Sequence, residues 1–254
     1  MRWHCLVGHD HQVVTRHIEG RLGDRVVIVT GGSRGTGREV AHALGRSGYA
    51  VVVGYAHSQG AADVTVDEIL SAGGAAIAIR ADVADELDVE RLFLETREQF
   101  GGVDLVVEAP GRMSVLVRGA AGRHLRPGGT LVSFAGGGLT ETPVDVGRFV
   151  AWLTAHPSAE VIVLPVSDAE RAKRFYGDLG WRLDDDLVVG ESFRLVRMTP
   201  PASTASVIFG VGVTPAVPGT AAGLALPAPD IVPLDDPDGN TWLPGATRTR
   251  LPGR

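Results

Sequence analysis

The sequence predicts an α/β fold, a parallel sheet followed by a smaller α+β module. Three observations carry that expectation. β-Branched runs alternate with helix-patterned segments about every 25 residues, the rhythm of right-handed βαβ units. A glycine-rich turn, Thr30-Gly31-Gly32-Ser33-Arg34-Gly35-Thr36-Gly37, separates the first such run from the first helix. After about residue 155 the order changes to one strand, one helix and three consecutive strands.

Arg25–Thr30 is a short β-branched run suited to a strand buried on both faces. Residues 38–46 then place Val40, Ala43 and Leu44 at helical spacing. Residues 50–53 form the second strand, 61–72 a helix ended by Gly73-Gly74, and Ala75–Arg80 the third strand. In 84–100, Val89, Leu92, Phe93, Thr96 and Phe100 share one helix face. Residues 103–107 and 130–134 are the fourth and fifth strands, and 155–158 reads as a linker. A strand over 160–166 leads to Ser167 and Glu170, a capping box in which Ser167 is the N-cap. The helix puts Ala172, Phe175, Tyr176 and Leu179 on one face, and Gly180 closes it. Strands follow at 181–189, 193–198 and 206–213, with a further one near 223–226. The turn Asp236-Pro237-Asp238-Gly239-Asn240 precedes a last short strand at 241–243. The expected division is an N-terminal extension (1–22), a first domain (23–155) and a second (160–245).

Composition bounds what such a chain does. With 254 residues, 44% hydrophobic and 21% charged, it has room for one large or two small globular domains, and disorder, collagen or coiled coil are poor global descriptions. A net charge of −6 argues against general binding to nucleic acid or anionic lipid. The single cysteine, Cys5, excludes an internal disulfide and suits a reducing compartment. No apolar run approaches the ~18 residues of a membrane helix, and the first residues lack a secretory apolar region, so a cytoplasmic protein is expected. His4, His9, His11 and His17 with Cys5 crowd the first twenty residues but show no metal-ligand spacing, so no metal site is assigned.

The glycine turn carries the chemistry. Glycines after a buried strand allow a tight turn and let a diphosphate approach free N–H groups at a helix N-terminus. Here the sequence resembles the short-chain dehydrogenase/reductase family, through Thr30-Gly31-x-x-x-Gly35-x-Gly37, Ala81-Asp82-Val83 and Arg126-Pro127-Gly128-Gly129-Thr130, over roughly residues 23–136. The resemblance implies a Rossmann-like sheet with Gly31, Ser33, Arg34, Gly35, Thr36 and Gly37 around a dinucleotide, and Asp82 and Val83 at its adenine. The second strand ends Gly54-Tyr55-Ala56-His57-Ser58 without the carboxylate that NAD readers place there. Arg34 stands where a basic residue pairs with a 2′-phosphate, so NADP(H) is expected over NAD. Tyr55 and Ser58 complete the cofactor set.

The catalytic half departs from that family. Glu108-Ala109-Pro110-Gly111 replaces its Asn-Asn-Ala-Gly, and by spacing its Ser, Tyr and Lys fall on Gly136, Phe149 and Leu153. None of these transfers a proton. Ser133 lies three residues too early, and the sole lysine, Lys173, sits on the later helix with Tyr176. Between the fourth and fifth strands only residues 112–126 remain, enough for one crossover helix, so the sheet is expected to be truncated.

Residues 160–245 resemble a partial βαβββ module of the vicinal-oxygen-chelate (glyoxalase/bleomycin-resistance-like) superfamily, through the Ser167–Tyr176 stretch and the Asp236–Asn240 turn. The resemblance places metal ligands at Val161 and at Leu243 and Pro244, which cannot ligate, so no metal is implied. Asp184-Asp185-Asp186 is a run of carboxylates on a strand or turn, read as a solvated turn in preference to a cation site. A half-cup must bury its apolar faces on the first sheet or on another copy, so a homo-oligomer is expected. The strand at 160–166 also has an alternative place, as a sixth strand of the parallel sheet. Two functional readings stay open: an NADP(H)-binding oxidoreductase-like protein with non-standard or degenerate chemistry, or a non-catalytic small-molecule-binding protein whose C-terminal half does the work.

Overall fold

The computed structural model describes residues 25–109, 114–136, 145–156, 160–225 and 233–243. The N-terminal histidines and Cys5 lie outside them. Among the described residues no helix is long and apolar enough to cross a membrane.

Strands and helices alternate as the sequence predicts: β1 (Arg25–Thr30), α1 (Gly35–Arg46), β2 (Tyr49–Tyr55), α2 (Gln59–Ser71), β3 (Ala75–Arg80), α3 (Glu86–Phe100), β4 (Val103–Glu108), α4 (Val115–His124), β5 (Leu125–Phe134). Then come α5 (Val146–Ala155), β6 (Glu160–Val163), α6 (Ala169–Asp178), β7 (Arg182–Val189), β8 (Phe193–Thr199), β9 (Ala205–Val211), β10 (Leu234–Asp235) and β11 (Thr241–Trp242). The first nine strands form one sheet in the order β3-β2-β1-β4-β5-β6-β9-β8-β7. It is parallel from β3 to β9 and antiparallel across β9-β8-β7.

That topology corrects two expectations. The parallel sheet is not truncated, and the strand at 160 opens no separate unit. β6 pairs with β5 from Leu131↔Glu160 to Phe134↔Val163, and its other edge pairs with β9. The cause is the open edge of β5: Val161, Ile162 and Val163 are fully buried, and pairing there satisfies both backbones at once. The alternative placing of β6 as a sixth parallel strand is the observed one. Within residues 160–211 the strand-helix-three-strand order holds, as β6-α6-β7-β8-β9.

Two layers of helices cover the sheet. Val27, Val29, Val53, Leu105, Val107, Val132 and Val161 face α1, α2 and α5. Ile28, Val52, Val106 and Leu131 face α3 and α4, and further along that face Ile162, Val196, Val207 and Phe209 meet α6. α5, which the sequence reading did not single out, lies beside α1 and not beside α4. The β5-α5-β6 crossover therefore has the opposite hand to β1-α1-β2 and β4-α4-β5, against the strong right-handed rule.

Three local details differ from expectation. The N-cap of α6 is Asp168, which accepts from the Arg171 amide at 3.0 Å; Ser167 instead donates to Asp238 at 2.6 Å. Asp184, Asp185 and Asp186 lie in β7, the strand alternative, and are ion-paired with Arg182, Arg194, Arg197 and Lys173 in place of the expected solvated turn. Of the expected strand near 223–226, the described residues show a bridge from Leu224 to Trp242, and Leu226 lies outside them.

A buried knot fastens the β10-β11 hairpin to α6. Tyr176 Oη donates to Asp236 Oδ2 at 2.9 Å, the indole of Trp242 donates to Tyr176 Oη at 3.1 Å, and Asn240 Nδ2 donates to Asp236 Oδ2 at 2.8 Å. Trp181 stacks on Tyr176 at 4.4 Å. The expected Asp236–Asn240 turn is thus a structural lock in which Asp236 and Asn240 are paired inside the fold.

Candidate functional site

In open α/β sheets, ligands bind beyond the carboxyl ends of the strands, where the strand order reverses. Here the order reverses between β1 and β4, and the loop after β1 is Gly31–Arg34. Gly31 takes a left-handed φ of +67°, a conformation that favours glycine. At Gly37 the constraint is space: a Cβ would stand 2.3 Å from the Gly31 carbonyl oxygen and 3.0 Å from Ala109 Cβ. The amide of Gly32 donates to Gly54 O at 3.1 Å, which ties the loop to the end of β2.

The first turn of α1 is open. Its N-cap, Arg34, is extended and offers no side-chain cap, and there is no acidic residue in the first turn. The first helical bond at this end is Arg38 N to Arg34 O, so the amides of Gly35, Thr36 and Gly37 have no partner among the described residues. Three outward N–H groups on a helix dipole make an anion site. The glycine-only approach between Gly31 and Gly37 leaves room for a diphosphate, and these residues fit a dinucleotide.

The other expected contact residues gather around this loop. Ser33 is buried in the turn and Arg34 is exposed, with no ion pair to a described residue. Tyr55 ends β2, and burial pushes its phenol above its ordinary pKa. Ser58 precedes α2 without capping it, which leaves its hydroxyl uncommitted. Asp82 Oδ1 accepts from the Ala84 amide at 2.9 Å, and the Asp82 amide donates to Asp88 at 3.0 Å. The Val83 carbonyl accepts from Ser114 Oγ at 2.7 Å, while its amide has no described partner.

The positions where the family resemblance seeks catalytic groups are filled differently. Gly136 has φ +83°, and a Cβ there would stand 2.7 Å from Thr220 Oγ1 and 3.0 Å from Pro165 Cγ. Phe149 and Leu153 are buried in α5, on the α1 face of the sheet. Lys173 pairs with Asp186 at 2.7 Å over α6 and β7.

Sequence reasoning missed a buried polar group at the end of β4. Glu108, 3% exposed, accepts from Ser133 Oγ at 2.5 Å and from the Ser114 amide at 2.9 Å. Burial pushes its carboxyl above the usual range, against the two hydrogen bonds and the Arg118 charge. Arg118 itself lies 2.9 Å from Glu160, whose carboxyl burial also raises. The available signal was a charged residue ending an otherwise apolar strand. Ser114 links both halves of the site, since it caps α4, bonds Val83 and bonds Glu108.

With this geometry in place, comparisons give it a family setting. Residues 25–121 match the family model for short chain dehydrogenases. The short chain dehydrogenase claC of Passalora fulva is 47% identical over 98 residues, covering 39% of this chain and 37% of that protein. The versicolorin reductase stcU of Emericella nidulans is 40% identical over 135 residues, covering 44% of this chain and 51% of that protein. A solved short chain dehydrogenase from Burkholderia cenocepacia J2315, in complex with NADP, is 28% identical and covers 58% of this chain and 76% of that one, at a TM-score of 0.45. The chain spans between about a third and a half of the length of the curated relatives it matches. From β1 into α4, residues 25–121 are thus similar to the short chain dehydrogenase family.

Proposed function

We propose that this chain binds NADP(H) across the β1 and β4 ends and works as a nicotinamide-dependent oxidoreductase of the short chain dehydrogenase type. The observation that carries the reading is the open first turn of α1, reached over a loop in which a Cβ at Gly37 has no space. The amides of Gly35, Thr36 and Gly37 would hold the diphosphate, and Asp82 with the Val83 amide would meet the adenine edge. Arg34, Tyr55 and Ser58 form the corner for the ribose. No carboxylate stands at the end of β2 to favour a free 2′-hydroxyl, and Arg34 supplies a cation for a 2′-phosphate. A bound reduced nicotinamide supplies hydride.

Calorimetric titration with NADP+ and NAD+ tests the assignment. NADP+ is expected to bind at least tenfold more tightly, and Arg34→Ala is expected to remove that preference while leaving NAD+ affinity unchanged. Equal weakening of both nucleotides contradicts the role given to Arg34, and absence of binding by the unaltered chain contradicts the function.

A further inference from the structure

We propose that Glu108 is the proton donor of this site and that Ser133 carries its proton to the reacting oxygen, an inference that rests on the NADP(H) reading above. Three observations point to this pair. First, Glu108 is the last residue of β4 and pairs across the ladder with Thr30, the residue before the cofactor loop. Second, among the described residues at the carboxyl ends of β1, β4, β5 and β6, Glu108 is the only titratable side chain. Third, its partners suit a relay. One oxygen is held by the Ser114 amide, while the other meets Ser133 Oγ, which has no further described partner.

The hydroxyl works in either direction. With Glu108 ionised, Ser133 donates to it. With Glu108 protonated, the acid donates to Ser133 Oγ, which frees the serine proton to point elsewhere. Burial favours the protonated form, and a carboxyl that keeps its proton more readily than an exposed one suits general acid catalysis. The group facing Glu108 from α4 is Arg118, which also pairs with Glu160 of β6; Ser114 faces it from the α4 cap and Ser133 from β5.

The reaction balances without a Tyr–Lys pair. A reduced nicotinamide held at this site would supply hydride to a substrate carbonyl carbon, whose π electrons would pass to oxygen. That oxygen takes the Ser133 Oγ proton, Ser133 takes the Glu108 proton, and the Glu108 carboxylate is reprotonated from solvent. The net change is one carbonyl, one reduced nicotinamide and one proton to one alcohol and one oxidised nicotinamide.

The test combines three measurements on the full chain, Glu108→Gln and Ser133→Ala, each checked for folding by circular dichroism. NADPH affinity from nicotinamide fluorescence is expected to agree within about twofold across all three. Single-turnover oxidation of NADPH by para-nitrobenzaldehyde is expected to be at least about 100-fold slower in both variants. Infrared titration of the unliganded chain is expected to show a carboxylic acid band that persists to higher pH than that of an ordinary glutamate. That band should vanish in Glu108→Gln and persist in Ser133→Ala, which a purely structural role for Ser133 with a normal Glu108 would not produce. Unchanged turnover in Glu108→Gln, absence of the band, or NADPH binding without oxidation by the unaltered chain overturns this proposal alone. Absence of NADPH binding overturns the cofactor reading and this proposal with it.

Discussion

The ends of β1 and β4 lie side by side in one ladder, yet they are built on opposite principles. After β1 the chain removes side chains: Gly31, Gly35 and Gly37 strip the loop so that backbone amides face outward. At the end of β4 it buries a side chain, a carboxyl gripped by a serine and an amide. In the proposed reading, one end recognises an anion with donors that do not titrate, and the other supplies a proton. The contrast teaches that adjacent strand ends can draw on different parts of the residue, the backbone at one and the side chain at the other.

The largest expected effect breaks the first side of that comparison. Gly37→Val drives a branched Cβ into the Gly31 carbonyl, and NADP(H) affinity is expected to fall at least about 100-fold by fluorescence titration, with α1 helicity retained. Asp236→Ala moves the stress to the far half of the sheet. It orphans the Tyr176 hydroxyl and the donors of Asn240 and Asp238, and about 3 kcal/mol of unfolding free energy should be lost in urea titrations. Cofactor affinity should stay unchanged, since the knot lies on α6 and β10-β11. Gly136→Ser places the hydroxyl that the family resemblance seeks. The left-handed backbone and Thr220 make it costly, by about 1–2 kcal/mol, and turnover should not rise.

The smallest effect concerns Asp186, whose carboxyl is held at a pKa of about 2, chiefly by hydrogen bonding to Arg194 and then to Lys173. Its folded pKa lies below the unfolded value near 3.9, so its contribution is present above pH ~4 and is lost as pH falls through about 2. The pair is partly solvated, so the contribution is of order 1 kcal/mol or less. Asp186→Asn should flatten the fall in stability between pH 4 and pH 2 by that amount in acid titrations.

The fold was legible where periodicity alone decides it. β1 and β3 match the predicted spans, because β-branched runs and glycine breaks are local signals. The glycine loop after β1 was legible for the same reason, since a turn that demands glycine writes glycine into the sequence. The Glu108 site was not, because its partner Ser133 is 25 residues away and its meaning appears only when β5 pairs with β4. The docking of β6 was read as two alternatives, since a buried strand does not say which edge it joins. α5 escaped notice because its place beside α1 follows from long-range packing, against the ordinary crossover hand.

Amide hydrogen exchange read residue by residue, with and without NADP+, goes straight to the backbone groups on which the whole account stands. Exchange at Gly35, Thr36, Gly37 and Val83 should slow at saturating nucleotide, while Gly32, already bonded to Gly54, should change little. Nucleotide that binds without slowing those four amides would contradict the account.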